Sequence, residues 1–256
     1  MKNIFEIYAL RYAGPVKRPA AVGMWNRDWG ELAESSYYIW LIKGENENIL
    51  VDTGIHPIQA EKMQLLNYVN PAELVTQINL KPEDINKIII THLHLDHTNG
   101  VTLFPKASFY IQESEYNFWL KNPLAKRPPF MSTSDQESYK YLESLEGTDR
   151  LKIINGNFNI VDGIDCILSA GHTFGNQSVL VNTKKGIAII GSDCGYYFKN
   201  YQEDWPSIYI TNLPEWLKSY SMLREKVSSI EYLFPGHDPL MYENYPKITK
   251  NISRLV

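Results

Sequence analysis

Apolar residues recur along this chain in short runs separated by polar turns, the pattern of buried strands joined by loops. Residues 4–10 predict a first strand. The runs at 37–42 and 49–51, split by the polar stretch 43–48, predict an antiparallel hairpin ending at Asp52-Thr53-Gly54. Between the first strand and this hairpin, residues 14–30 carry Pro15, Pro19, Gly23, Trp25 and Trp29. They read as an irregular segment, either a packed N-terminal loop or a cover over a site. Ile58, Met63, Leu66 and Val69 follow Pro57 with helical spacing, which predicts a helix over 57–69, with a shorter one over 71–78. Residues 81–84 read as a turn, 88–90 and 109–111 as strands, and 113–120 as a helix.

Past residue 120 the pattern loosens. Pro123, Pro128 and Pro129 precede a polar helix over 136–145, so 121–147 reads as a lid or a surface insertion. Strands return at 151–154, 164–168, 179–181 and 187–190. A helix carrying Leu213, Trp216, Leu217, Tyr220 and Leu223 precedes a last strand at 232–234. No repeat and no low-complexity linker interrupts the chain. The expectation is one domain over 1–256, an α/β (α+β) arrangement of layered helices and facing sheets.

Composition narrows the function classes. A net charge of -4 supplies no basic face for nucleic acid. Cys166 and Cys194 are the only cysteines, too few for a disulfide framework or a thiolate metal site. No apolar run reaches membrane-spanning length. The opening Met1-Lys2-Asn3-Ile4-Phe5-Glu6 lacks the pattern of an export signal, so a cytoplasmic location is expected, with no nucleic-acid or membrane partner and a monomer or homodimer in solution.

The chemistry gathers at Thr91-His92-Leu93-His94-Leu95-Asp96-His97-Thr98-Asn99-Gly100, directly after Ile88-Ile89-Ile90. Imidazoles and a carboxylate suit zinc and neighbouring divalent ions. On extended backbone His92 and His94 point the same way, while Asp96 and His97 follow at a turn that swings them to a second point. That geometry favours two adjacent ions over one. Other polar residues share the position just past an apolar strand: Asp52 after Val51, His172 after 167–171, Asp193 after 187–192, and His237 after 232–236. Strand ends that deliver such residues to one sheet edge can build one site. Glycines, Gly171 and Gly236, precede two of these histidines and allow close backbone approach. Of six histidines only His56 lies outside this set, which argues against chance placement.

In these residues the chain resembles the metallo-β-lactamase superfamily: H-x-H-x-D-H at His92, His94, Asp96 and His97, A-G-H-T at His172, G-S-D at Asp193, and P-G-H-D at His237. The resemblance implies a four-layer αβ/βα sandwich. It implies that His92, His94 and His172 hold one metal and that Asp96, His97 and His237 hold the other, with Asp193 bridging and Asp52 a non-ligand support. The ions would be zinc, with cobalt, manganese or iron as alternatives. Two cations about 3.5–4 Å apart share a water, lower its pKa to supply hydroxide, and polarise a carbonyl. Asp96, beside that nucleophile, is the candidate proton donor to the leaving group.

Within the superfamily the sequence looks most like the N-acyl homoserine lactonases, through 89–97, through Gly171-His172-Thr173-Phe174-Gly175-Asn176-Gln177-Ser178, and through Tyr196 three residues after Asp193. By that resemblance Tyr196 hydrogen-bonds the substrate carbonyl, and the expected activity is opening of a lactone in quorum quenching. The family more often has phenylalanine at Leu95 and histidine at Asn176, and the segment between His97 and His172 is long, which leaves acyl preference open. Trp25, Trp29, Trp119 and Phe130 are candidates for an apolar wall. The alternatives are a hydrolase of another lactone or a glyoxalase II-like thioesterase. The latter would carry a basic C-terminal helical extension, and this chain ends 19 residues past His237. Flavin-linked di-iron relatives have glutamate at the place of His94, a β-lactamase would be exported, and a non-catalytic binding module would have an eroded ligand set.

Overall fold

Successive side chains of a strand point to opposite faces, so a strand buried along its whole length must be covered on both sides. The run Tyr38, Ile39, Trp40, Leu41 and Ile42 is such a strand, with every side chain buried. The computed structural model describes residues 3–256. Met1 and Lys2, where the reading of the N-terminus begins, lie outside the described residues.

The strands are β1 (Glu6–Pro19), β2 (Leu32–Lys43), β3 (Asn48–Val51), β4 (Lys87–Ile89), β5 (Ser108–Gln112), β6 (Leu151–Ile154), β7 (Phe158–Val161), β8 (Ile164–Leu168), β9 (Gln177–Thr183), β10 (Gly186–Ser192), β11 (Leu233–Pro235) and β12 (Ile252–Arg254). The helices are α1 (Ala20–Gly23), α2 (Pro57–Met63), α3 (Pro71–Thr76), α4 (Leu95–Thr98), α5 (Glu113–Tyr116), α6 (Pro128–Met131), α7 (Gln136–Ser144), α8 (Phe198–Glu203), α9 (Leu213–Lys226) and α10 (Leu240–Glu243). One sheet has the order β12-β1-β2-β3-β4-β5-β6, the other β11-β10-β9-β8-β7.

Three apolar clusters separate four layers, as the sandwich expectation requires. Between the sheets lie Ile7, Trp40, Val51 and Ile89 from one and Cys166, Val179, Ala188 and Ile190 from the other. On the outer face of the larger sheet, Ile39, Leu41, Leu50 and Ile88 pack against Leu74, Val75 and Leu142 of the helical layer. On the outer face of the smaller sheet, Ile167, Ile189 and Leu233 meet Trp216, Tyr220 and Leu223 of α9. Period-two alternation of strand side chains assigns each to its cluster.

Strand direction then fixes where the site forms. β3, β4 and β5 are parallel to one another, and so are β10 and β11. β8 and β10 both run antiparallel to β9 and therefore share a direction. Parallel strands end at a common edge, so the residues after β3, β4, β8, β10 and β11 converge.

Several expected boundaries shift. β1 continues through the stretch read as irregular as far as Pro19, because backbone pairing with β2 persists and register shifts after Arg11 and Ala13 absorb the glycine and proline. The helix expected over 57–69 stops at Met63, where Gln64 turns left-handed at φ 52°. Its helically spaced Ile58 and Leu66 are 60% and 58% exposed, so no buried stripe sustains it. The strand expected at 232–234 is β11, and it is not the last, since β12 adds to the edge of the larger sheet. β7, α8 and α10 also arise where no element is expected from sequence. The helix expected over 113–120 begins as α5 and opens into a π-helical turn over Asn117–Lys121. Among the described residues, no helix is long and apolar enough to cross a membrane.

Candidate metal centre

The loop after β4 is pinned before any ion is considered. Asp52 stands at φ 63° just past β3 and accepts from the Thr91 backbone N–H at 2.7 Å and the Thr91 hydroxyl at 2.8 Å. Its Oδ2 also lies 2.7 Å from His97 Nδ1. A non-glycine residue in that backbone region is uncommon and clusters at working sites. Tyr12 donates to the Asp96 carbonyl at 2.7 Å, and Tyr139 of α7 donates to the Leu93 carbonyl at 2.5 Å.

On this frame His92 Nε2, His94 Nδ1 and His172 Nε2 form a triangle with edges of 3.1, 3.1 and 3.2 Å. A tetrahedral ion with arms of about 2.0–2.1 Å spaces its nitrogens by about 3.3–3.4 Å, close to those edges. A second group gathers beside it, with Asp96 Oδ2 3.6 Å from both His97 Nε2 and His237 Nε2. Asp193 stands between the groups. Its Oδ1 is 3.5 Å from His97 and its Oδ2 is 3.5 Å from His172 and 4.0 Å from His92, while His237 lies 3.2 Å from both oxygens.

The far sides of three of the rings have their own partners. His97 Nδ1 is oriented by Asp52, His172 Nδ1 by the Tyr209 carbonyl at 3.0 Å, and His237 Nδ1 by the Ser36 carbonyl at 3.0 Å. A ring nitrogen that donates outward leaves the other with a lone pair facing inward, the arrangement of a metal-holding histidine. Burial depresses the pKa of His92 and His172 well below the usual imidazole value, helped by neighbouring imidazoles, and pushes His94 down to about 4 against the pull of Asp96 and Asp193. Neutral rings are the ligating form. For His97, burial opposes charge but Asp96, Asp193 and Asp52 outweigh it and raise its pKa. Burial likewise opposes the ionised form of Asp193, yet His237 and His97 hold its carboxyl well below the usual range.

The donor set fits metal ions. The described residues hold three clusters of converging ligand atoms, namely His92, His94 and His172; His92, His97 and Asp193; and Asp96, His97 and His237. His97 Nε2 and Asp193 Oδ1 are buried with no hydrogen-bond partner among the described residues, and unsatisfied buried atoms that face each other call for a cation between them. The backbone makes room for the closeness. A Cβ on Gly236 would lie 2.1 Å from Asp193 Oδ1, and one on Gly171, at φ 135°, would lie 2.3 Å from Trp216.

Tyr196 is buried, with its ring 4.6 Å from His237 and 5.9 Å from His172. Burial and the carboxylates of Asp193 and Asp96 raise its pKa well above the ordinary phenol value, so it stays a neutral donor. Of the apolar-wall candidates, Trp119 lies 5.3 Å from His94 and 5.9 Å from Phe130. With Thr133, Ile208 and Tyr209 they line a cavity of about 210 Å³ beside His94 and His172. Trp25 and Trp29 are not among its lining residues, and Trp29 is 69% exposed. Residues 121–147 include α6 and α7, and the Thr133 carbonyl accepts from the Leu95 N–H at 2.8 Å, which sets this segment against the histidine motif. Asn176 is buried and donates to the Ser169 carbonyl at 3.1 Å, a loop brace. Cys194 is fully buried in the α9 cluster, and among the described residues no thiol joins the ligand clusters.

Glu115 is the residue that sequence reasoning missed. Its carboxylate is fully buried and accepts from the Leu93 N–H and the Gly175 N–H, both at 2.8 Å. It thereby ties the loop carrying His92 and His94 to the loop following His172. It lies three residues past the end of β5, which runs parallel to β4, but on the short helix α5 an acid there has the look of a solvated side chain.

Comparison with known proteins agrees with this geometry. Residues 29–237 match the Metallo-beta-lactamase superfamily. An N-acyl homoserine lactonase of a Bacillus species is 29% identical over 227 residues, covering 82% of this chain and 84% of that protein. The N-acyl homoserine lactonase AttM of Rhizobium radiobacter is 27% identical over 183 residues, covering 68% and 65%. Among solved structures, an N-acyl homoserine lactone hydrolase with N-hexanoyl-L-homoserine at its catalytic metal centre superposes with a TM-score of 0.78 at 22% identity, over 97% of this chain and 98% of that one. AidC, a dizinc quorum-quenching lactonase, superposes with a TM-score of 0.74 at 17% identity, over 99% and 95%. With the fold, the strand-end site and the matched span in agreement, this chain belongs to the metallo-beta-lactamase superfamily.

Proposed function

We propose that the chain is a metal-dependent hydrolase that opens a lactone ring, the N-acyl homoserine lactones being the substrate class its relatives act on. The observation that carries the reading is the placement of Asp193, one oxygen toward His97 and the other toward His172 and His92, with His237 3.2 Å from both. In this reading His92, His94 and His172 hold one ion, Asp96, His97 and His237 the other, and Asp193 serves both. Zinc is favoured by the nitrogen-rich, closely spaced donors, with cobalt, manganese or iron able to take the same ligands. A pair of bound divalent ions supplies an acidified water and a Lewis acid for the ester carbonyl.

The chain's own groups do the rest. Tyr196, a neutral phenol, donates a hydrogen bond to the carbonyl oxygen as negative charge grows on it. Asp96 is the most open carboxylate of the cluster, its side chain 24% exposed against 1% for Asp193, and so can deliver a proton to the departing ring oxygen. Water adds to the carbonyl carbon, the ring C–O bond breaks, and a hydroxy carboxylate leaves. Trp119 and Phe130 exclude water on the His94 side. The reading takes 1–256 as one domain with 121–147 as a lid. A cytoplasmic location fits the two free, buried cysteines.

Tyr196→Phe is expected to lower kcat by roughly 100- to 1000-fold, the range for loss of one oxyanion donor, with metal content unchanged. Steady-state kinetics with metal analysis checks this, and an unchanged kcat removes the role. Asp52→Ala is expected to weaken metal binding by about 10- to 100-fold, since His97 loses the partner that fixes its tautomer. Competition with a chelator measures it. The substrate class is tested by a panel of acyl homoserine lactones, other lactones, thioesters and a chromogenic β-lactam. A lactone should give the highest kcat/KM, and a thioester turning over far faster than every lactone would make the protein a thioesterase.

A further inference from the structure

Arg18 sits at the end of β1, paired with Ala33 on β2, and the residue is half-buried. The other arginines in ion pairs have clear counter-ions: Arg27 with Glu203, Arg224 with Asp204, and Arg254 with Glu6. Arg150 sets its fork on the Ala107 and Phe104 carbonyls instead. Among the described residues Arg18 has neither kind of partner, and the same holds for Arg11, stacked on Tyr242, and for the exposed Arg127, so what sets Arg18 apart is its place near the metal centre. Its only hydrogen bond among the described residues is to the Tyr37 hydroxyl, so a five-donor group spends one donor. Its guanidinium also lies 5.3 Å from the centre of the Tyr37 ring.

Tyr37 carries Arg18 to the metal centre. Its ring stands edge-on to His237 with centroids 5.3 Å apart. Burial opposes the charge on Arg18, but Tyr37, Tyr196, Asp96 and Tyr197 around it outweigh that and raise its pKa. Through Tyr37 the cation thus borders the His237 side, whereas the apolar cavity of Trp119 and Phe130 borders His94 and His172. A half-buried guanidinium with free donors matches a carboxylate, which can accept two parallel N–H bonds. A neutral amide carbonyl would leave that charge unbalanced.

We propose that Arg18 determines specificity by receiving an acidic group of the substrate, so that a lactone bearing a carboxylate is preferred over its neutral counterpart. The inference rests on the lactone reading of the same site. The test compares a γ-butyrolactone carrying a ring carboxylate with the same lactone carrying a carboxamide, using metal-loaded wild type, Arg18→Gln and Arg18→Lys. Wild type should favour the carboxylate by on the order of 10- to 100-fold in kcat/KM, the range for charge-assisted hydrogen bonds. Arg18→Gln should bring the ratio near one, chiefly through KM, with metal content equal, and Arg18→Lys should restore part of it. A wild-type ratio at or below one, or an Arg18→Gln effect equal on both lactones, overturns the proposal. If neither lactone opens, the lactone reading fails on its own. Calorimetric binding of the ring-opened dicarboxylate then decides Arg18: about tenfold tighter binding to wild type than to Arg18→Gln supports it, and equal binding overturns it.

Discussion

Asp193→Asn is expected to reduce the bound metal from two ions per chain to one or fewer and to lower kcat/KM by more than the roughly 10- to 100-fold that loss of an outer supporting partner costs. Asparagine keeps the size of the side chain but replaces one of its two inward oxygens with an NH2 group, a donor that cannot ligate. Whichever way the amide settles, either His97 or the pair His172 and His92 loses its acceptor, and His237, 3.2 Å from both oxygens, keeps only one. Asp193 is 1% exposed, so no water can replace the lost oxygen without a rearrangement. Metal analysis after reconstitution, paired with kinetics on the best lactone, reads both effects. Two retained ions with full activity would remove Asp193 from between the groups.

The second large effect belongs to a residue that no motif marks. Glu115→Ala is expected to destabilise the protein by about 2–6 kcal/mol, because two buried N–H groups lose their acceptor at about 1–3 kcal/mol each. The donors are those of Leu93 and Gly175, and each belongs to a loop that carries histidines of the cluster. Burial raises the Glu115 pKa while those two N–H groups work against it, so the carboxylate is held in place by the bonds it makes. Glu115→Gln keeps one carbonyl acceptor and should lose less. Thermal or denaturant unfolding of the metal-free and metal-loaded forms measures the loss. Stability within about 0.5 kcal/mol of wild type for Glu115→Ala, the ordinary range of surface changes, would show that the clamp does not hold the loops.

The contrast between Asp193 and Glu115 shows what the sequence makes legible. Histidines and aspartates that follow apolar runs announce themselves, because the run fixes a strand end and the polar residue has no reason to be there otherwise. The strands at 37–42, 49–51 and 187–190 and the helix around Trp216 are readable for the same reason, since apolar runs of that kind mark buried elements. Glu115 is not, because an acid on a short helix has the look of a solvated side chain and only the fold buries it. Pro15 and Pro19 end the predicted first strand early, yet these local signals lose to continuous pairing of β1 with β2. The helix predicted at 57–69 runs too far because helical spacing does not reveal whether the apolar face is covered, and Ile58 and Leu66 are left exposed. β12 escapes prediction because a three-residue edge strand carries too little pattern of its own. Arg18 is likewise invisible in sequence, since what distinguishes it is the fold that sets it on Tyr37 beside His237.

The most direct test of the account is a count of metal ions per chain after careful reconstitution. Two equivalents of a divalent ion, with His97 and Asp193 both required for the second, is the predicted result. Less than one ion per chain would contradict it.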